Sequence, residues 1–181
     1  MNGKINMRKV FFAIVMAALI SFIGGCDKGI EPEPANNTPP GVTGFSGTVT
    51  FVGTWPSGIA RTHLVVFKDF IKDSSGFVPP NLSFVIDSIP NGSRNFSYNS
   101  VDNNFISFFK IAPGNYKYVV VAQSKTPAIS LDRKDWFIVG VYCIGNNQSQ
   151  PATMTIQDGK MTTGVDVKVD FNNPPPQPPG G

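Results

Sequence analysis

Hydrophobic and polar residues alternate with a period of two along most of the chain between residues 45 and 171. This alternation is typical of β-strands with one buried face, because successive side chains of a strand point to opposite sides. Two of the runs are almost continuously apolar, as in central strands that are covered on both faces. The pattern predicts about eight strands, over residues 45–52, 63–69, 82–89, 105–111, 116–123, 136–143, 152–157 and 165–171.

Short segments rich in glycine and proline separate these runs. Examples are WPSG at 55–58, PNG at 90–92 and DG at 158–159, all of which are typical turn sequences. No window has the three-to-four-residue spacing and the caps of an amphipathic helix. Short strands joined by turns, without helices, indicate a sandwich or a barrel. We therefore predict an all-β domain, a single antiparallel β-sandwich.

The first 25 residues have a different pattern. Basic residues precede an apolar segment over residues 10–23, and Gly24 and Gly25 follow it. A basic start, an apolar core of about 7–15 residues and small residues after it are typical of a secretory signal peptide. A transmembrane helix needs about 20 apolar residues, and this segment is shorter. A signal peptide that is cleaved elsewhere and an uncleaved anchor are the alternatives.

Residues 23–26 (IGGC) resemble the lipobox of bacterial lipoproteins. The resemblance implies that the chain is cut before Cys26 and that the Cys26 thiol carries diacylglycerol. Two acyl chains, at about 0.8 kcal/mol per buried CH₂ group, hold a protein on a membrane where one chain is marginal. Asp27 resembles the enterobacterial signal for the inner membrane, but the choice between inner and outer membrane stays open. We expect a lipid-anchored protein of the cell envelope, with its domain periplasmic or surface-exposed.

The formal net charge of +3 comes entirely from this N-terminal segment. Removal of Lys4, Arg8 and Lys9 from the 15 basic residues leaves 12, which equals the number of acidic residues. The mature chain is therefore formally neutral, and it has no basic stretch with interleaved aromatic residues. We do not expect it to bind nucleic acid.

Two segments lack the strand pattern. Residues 26–41 begin with the predicted lipidated cysteine and are rich in Pro, Asn and Glu, which indicates a disordered tether. Residues 174–181 are rich in proline, which lacks the backbone donor that a strand needs. We expect a solvated tail there, with a polyproline II ligand as the alternative. The predicted order is a signal peptide at 1–25, the tether, a β-sandwich at 42–173 and the tail.

Residues 112–121 (APGNYKYVVV) resemble the PxGxY-x-V-x-V signature of carboxypeptidase-regulatory-like and transthyretin-like domains. In those domains a Pro-Gly turn leads into a central strand. Residues 46–49 (SGTV) resemble their opening strand. The resemblance implies a transthyretin-like or immunoglobulin-like sandwich. It implies little about activity, because these domains serve as accessory, binding and structural modules.

Residue types that perform catalysis or bind metals are sparse. His63 is the single histidine and has no acidic residue close in sequence, so we expect a structural role. Cys143 lies in an apolar run, where a thiol is expected to be inert, and a lipidated Cys26 leaves it no disulfide partner. The sequence has no Cys/His cluster for zinc and no calcium loop. We expect no metal, no cofactor and no enzymatic activity; a hydrolase with a dispersed site around His63 is an alternative.

Trp55 and Trp136 are the candidate binding residues. Trp55 lies in a turn and Trp136 begins an apolar run. An exposed tryptophan can stack on a sugar ring or anchor a protein partner, although tryptophan also commonly closes the end of a core. We predict a non-catalytic domain that binds a partner protein or an envelope glycan, or acts as a spacer. A carbohydrate-binding accessory module that uses both tryptophans is the alternative.

Overall fold

The structure, a computed structural model, describes residues 41–180. The predicted signal peptide over residues 1–25 and the predicted tether up to residue 40, including Cys26, lie outside the described residues. Within 41–180 the chain forms β-strands joined by loops, with three short 3₁₀ helices and no α-helix. The prediction of an all-β domain is confirmed.

The described chain has ten strands. They are β1 (Gly44–Val52), β2 (Arg61–Phe67), β3 (Leu82–Val85), β4 (Asn95–Asn99), β5 (Gly114–Tyr116), β6 (Tyr118–Ser124), β7 (Phe137–Val141), β8 (Met154–Ile156), β9 (Met161–Thr162) and β10 (Val167–Asp170). The 3₁₀ helices lie in loops, at Ser74–Phe77, Arg133–Asp135 and Ile144–Asn146. Every predicted strand except 105–111 overlaps an observed one.

Eight strands form one curled sheet in the order β3-β2-β6-β7-β10-β1-β4, with β9 paired to the start of β1. The remaining two, β5 and β8, pair with each other. Most neighbours are antiparallel, but β1 is parallel to both β10 and β9. The expectation of a purely antiparallel arrangement is therefore corrected to a mixed sheet. Apolar alternation indicates which face a strand buries and not its direction, so it could not reveal this pairing.

Both faces of the main sheet are covered by apolar residues, and β6 lies between the two layers. All seven residues of β6 are buried. Val119 and Val121 belong to the cluster on what we call the first face, whereas Val120 and Ala122 belong to the cluster on the second face. The nearly continuous apolar sequence of β6 follows from this position, because a strand with two covered faces has no polar side.

Residues 105–111 form a loop instead of the predicted strand. The Asn104 side chain accepts a hydrogen bond from the Ile106 N–H (3.1 Å) and donates one to the Phe109 carbonyl (2.6 Å). These bonds curl the chain into a turn, which competes with an extended ladder. The loop stays next to β3 through the Phe105 N–H, which donates to the Val85 carbonyl (3.0 Å). Phe105 and Phe109 therefore pack against the sheet without joining it, whereas Phe108 is exposed.

Most of residues 174–180 are exposed, in keeping with the expected solvated tail, but the segment also bonds to the domain at specific positions. Pro175 is buried. The Gln177 side chain bonds to both backbone groups of Ile138 in β7, and the Pro178 carbonyl accepts a hydrogen bond from Arg133. This proline segment therefore lies along the second face of the sheet.

Candidate functional site

An apolar pocket opens on the second face of the sheet and has a volume of about 50 Å³. Strands β2 and β3 form its floor, and three irregular segments around residues 77, 105 and 130 form its walls. The lining residues are His63, Val65, Phe77, Leu82, Val85, Phe105, Ile106, Ile129, Ser130, Leu131 and Trp136. Apart from the indole N–H of Trp136, only the side chains of His63 and Ser130 carry polar groups among these lining residues. The pocket therefore suits an apolar group.

His63 belongs to the floor of this pocket and is held in one orientation. Its ring is 2% exposed, and Nδ1 lies 3.1 Å from the Ile86 carbonyl oxygen. Because a carbonyl only accepts, Nδ1 carries the proton in the neutral ring and Nε2 is left as an acceptor. The ring packs against Phe105 (centroids 4.8 Å apart) and Trp136 (5.9 Å).

The surroundings of His63 favour its neutral form. Burial lowers the pKa of His63 below its usual value of 6.5, and Arg61 acts in the same direction. The bond to the Ile86 carbonyl and the charge of Asp87 oppose this shift but are weaker than the burial. Protonation of a buried imidazole is unfavourable, because the charged ring lacks solvation by water and no carboxylate partner compensates for it. His63 is therefore a neutral, structural side chain at neutral pH.

The structure places Trp55 and Trp136 on different faces of the sheet. Trp136 is 7% exposed, and its indole N–H donates to the Ser130 carbonyl (2.9 Å). Trp55 is half-buried at the first face, where it packs on Phe51 (centroids 4.6 Å apart) and donates to the Ser93 carbonyl (3.1 Å). The two rings are not side by side, and both indole N–H groups have protein partners.

The rim of the pocket carries residues that sequence reasoning missed. Ile129 is 54% exposed and Leu131 is 57% exposed, next to the buried ring of Trp136. Exposed aliphatic side chains around a concave apolar site indicate an interaction surface. The available signal was an Ile-Ser-Leu sequence inside an otherwise polar loop, between Pro127 and Asp132.

Cys143 and the carboxylates provide little for catalysis. Cys143 is half-buried, and desolvation raises the pKa of its thiol, which disfavours the nucleophilic thiolate. Among residues 41–180, no group of three His, Cys, Asp or Glu side chains is arranged to hold a metal ion.

Comparisons with protein-family models, with curated proteins and with solved structures found no match for this chain. The resemblances to lipoproteins and to transthyretin-like domains therefore stay predictions. In the part of the chain that the structure describes, no helix has the length and apolar character needed to cross a membrane.

Proposed function

We propose that this chain is a lipid-anchored protein of a bacterial cell envelope whose non-catalytic β-domain binds a partner protein through the pocket on the second face. The observation that carries the binding role is the pocket itself, with Ile129 and Leu131 exposed at its rim. Burial of these side chains against a partner is favourable, at about 25 cal/mol per Å² of apolar area.

The size of the pocket favours an aliphatic side chain as its occupant. A cavity that holds benzene measures about 150 Å³, and this pocket has about a third of that volume. A sugar ring is larger and carries hydroxyl groups, each of which needs a hydrogen-bond partner once it is desolvated. A branched side chain such as leucine or valine fits both the size and the apolar lining.

The alternatives have weaker support. A glycan module would stack sugars on Trp55 and Trp136, but these residues lie on opposite faces of the sheet. A hydrolase would need His63 as a base, but its Nδ1 is bonded to a carbonyl oxygen and burial lowers its pKa. A general base works best with a pKa near the operating pH and an orienting carboxylate. We therefore favour protein binding.

The finer fold assignment is also a proposal. We propose a transthyretin-like sandwich, because the turn at Pro113 and Gly114 leads through β5 into β6, the buried strand at the centre of the sheet. That is the arrangement that the PxGxY signature implies.

Mass spectrometry of the protein extracted from membranes tests the anchor. We expect residues 1–25 to be absent and a diacylglycerol mass on Cys26. We expect Cys26→Ala to abolish cleavage at this site. The protein should then accumulate as a precursor that keeps its signal peptide. A Cys26→Ala protein with unchanged processing and equal, detergent-dependent membrane attachment would contradict the proposal.

Quantitative affinity capture from native envelope extract tests the pocket. Leu131→Asp places a charge at the rim, whereas the control Ile144→Asp changes another exposed aliphatic residue that does not line the pocket. We expect a protein that binds the unaltered chain and the control, and that binds Leu131→Asp at least about tenfold more weakly. Equal capture by both variants would refute the role of the pocket.

A further inference from the structure

The proline segment, residues 174–180, is held on the second face at two of its residues, and the residue before it is bonded as well. Just before the segment, the Gln148 side chain donates to the Asn173 carbonyl (3.1 Å) and accepts from the Val141 N–H (3.2 Å). In its middle, Gln177 bonds to Ile138, and near its end the Pro178 carbonyl accepts from Arg133 (3.0 Å). The segment therefore bonds to the domain through Gln177 and Pro178, while most of its residues stay exposed.

Gln177 takes the place of a neighbouring strand. Strand β7 pairs with β10 at Gly140, and Ile138 lies two residues before that pair. There the Gln177 side chain accepts from the Ile138 N–H (2.9 Å) and donates to the Ile138 carbonyl (2.7 Å). Prolines cannot donate to a ladder, so a side-chain amide satisfies the two backbone groups that β10 leaves unpaired.

Arg133 supplies a charged anchor. It is 3% exposed, and among residues 41–180 it forms no salt bridge. Its guanidinium donates to the Trp136 and Pro178 carbonyls, while its Nε has no partner. A buried cation without a carboxylate depends on such carbonyl oxygens, so loss of Pro178 would leave a donor unsatisfied.

The surface around the segment retains space for a ligand. A cleft of about 340 Å³ lies beside Pro176, Gln177 and Pro178, with Phe70 and Tyr118 among its walls. The rings of Phe70 and Tyr118 are 5.8 Å apart. Aromatic-lined grooves with hydrogen-bond donors for carbonyls are the usual receptors of proline-rich segments, whose fixed φ angles lower the entropy lost on binding.

We propose that this surface is a peptide-binding site for proline-rich chains with a Pro-Gln-Pro core, and that residues 174–180 are its intramolecular occupant. The backbone of Ile138 forms hydrogen bonds with the glutamine side chain, and Arg133 donates a hydrogen bond to the carbonyl of the following proline. When its own segment is displaced, the site binds the same sequence from another chain.

The covalent link explains why the site is closed in the isolated chain. A short linker gives its own segment an effective concentration of about millimolar order. A free peptide must exceed that concentration to compete, so displacement of the segment opens the site. This site is separate from the proposed partner-binding pocket, and neither proposal depends on the other.

Fluorescence anisotropy with a labelled peptide of sequence NNPPPQPPG, which corresponds to residues 172–180, tests the proposal. The receptor is the full chain with Pro175→Ser and Gln177→Ser, which removes the buried proline and the amide clamp but keeps the chain length. We expect this variant to bind the peptide at least about tenfold more tightly than the unaltered chain does. A peptide with alanine in place of its glutamine is the matched control, and we expect it to bind about tenfold more weakly or not at all.

The Arg133→Gln variant, made in the same altered chain, distinguishes specific recognition of the peptide from non-specific binding. We expect at least about tenfold weaker peptide binding, because a charge-assisted bond to a carbonyl is lost. Absence of binding to the folded altered chain would overturn the proposal. Equal binding by the native and altered chains would also overturn it. The same holds for peptide binding whose affinity depends on neither the peptide glutamine nor Arg133.

Amide hydrogen exchange provides a readout that does not require the double variant to fold. In the full chain with the single change Gln177→Ser, we expect faster exchange at Ile138 and unchanged exchange at Val121 in the buried strand β6. Addition of the NNPPPQPPG peptide should restore protection at Ile138. Unchanged exchange at Ile138 in this variant, or no restoration by millimolar peptide, would refute the site.

Discussion

Because His63 is the single histidine of the chain, the pH dependence of stability between about pH 5 and 6.5 reports on one side chain. Burial lowers the pKa of His63 in the folded state. The unfolded chain therefore binds a proton more readily than the folded chain once the pH falls below about 6.5. Stability is complete above that pH and is lost as the pH decreases towards the folded-state pKa.

The size of the effect follows from linkage. One proton taken up only by the unfolded state changes the free energy of unfolding by at most about 1.4 kcal/mol per pH unit. Hydrogen bonds to Lys117 and Ser75 lower the pKa values of Asp69 and Asp73, respectively, below 3.8. These carboxyl groups therefore change the stability only at more acidic pH. The slope above pH 5 is therefore attributable to His63.

Urea unfolding at pH 7, 6 and 5, with the same chain carrying His63→Asn as the control, measures this slope. Asparagine keeps a donor near the Ile86 carbonyl but does not titrate. We expect the unaltered chain to lose stability from pH 6 to pH 5 and the control to remain flat over that interval. Equal slopes in the two proteins, or a flat profile in the unaltered chain, would show that His63 is not buried in its neutral form.

Three further substitutions test the packing, each by chemical denaturation. Phe45→Ala removes a fully buried ring and should cost about 3–5 kcal/mol; a loss below about 1 kcal/mol would contradict the core. Tyr98→Phe removes the hydroxyl that donates to the buried Val165 carbonyl and should cost about 1–3 kcal/mol, and an unchanged midpoint would argue against that bond. Gly140→Ala places a Cβ 2.7 Å from Val169 Cγ2, so we expect a loss of about 1–3 kcal/mol; full stability would mean that β10 lies further from β7.

The sequence was sufficient for the strand content and for the position of β6, because both depend on local alternation and on apolar runs. It was insufficient for β4, whose sequence NFSYN is mostly polar because this edge strand buries few of its residues. It also misjudged 105–111, where the side chain of Asn104 supplies the turn. Local propensity competes with specific hydrogen bonds, and the latter depend on distances that a pattern does not contain.

The sites illustrate the same limit. The sequence indicated His63 and Trp136 separately, but their contact depends on the loop before β7, whose path no periodicity predicts. The sequence predicts a solvated proline segment because prolines cannot pair in a sheet, and most of its residues are exposed. Its docking depends on Gln177 and Arg133, which lie 44 positions apart by their numbers and meet the same segment only in the folded chain.

The parallel pairing of β1 with β10 determines how the domain responds to mechanical force. Parallel strands start at the same end, so the chain enters β1 at one end of the sheet and leaves β10 at the other. Tension applied between residues before β1 and residues after β10 would pull these strands in shear. The four residue pairs from Val49–Val167 to Val52–Asp170 would then resist together, instead of opening one after another as in an unzipped hairpin. The topology therefore favours resistance to tension that is applied between the start of β1 and the end of β10.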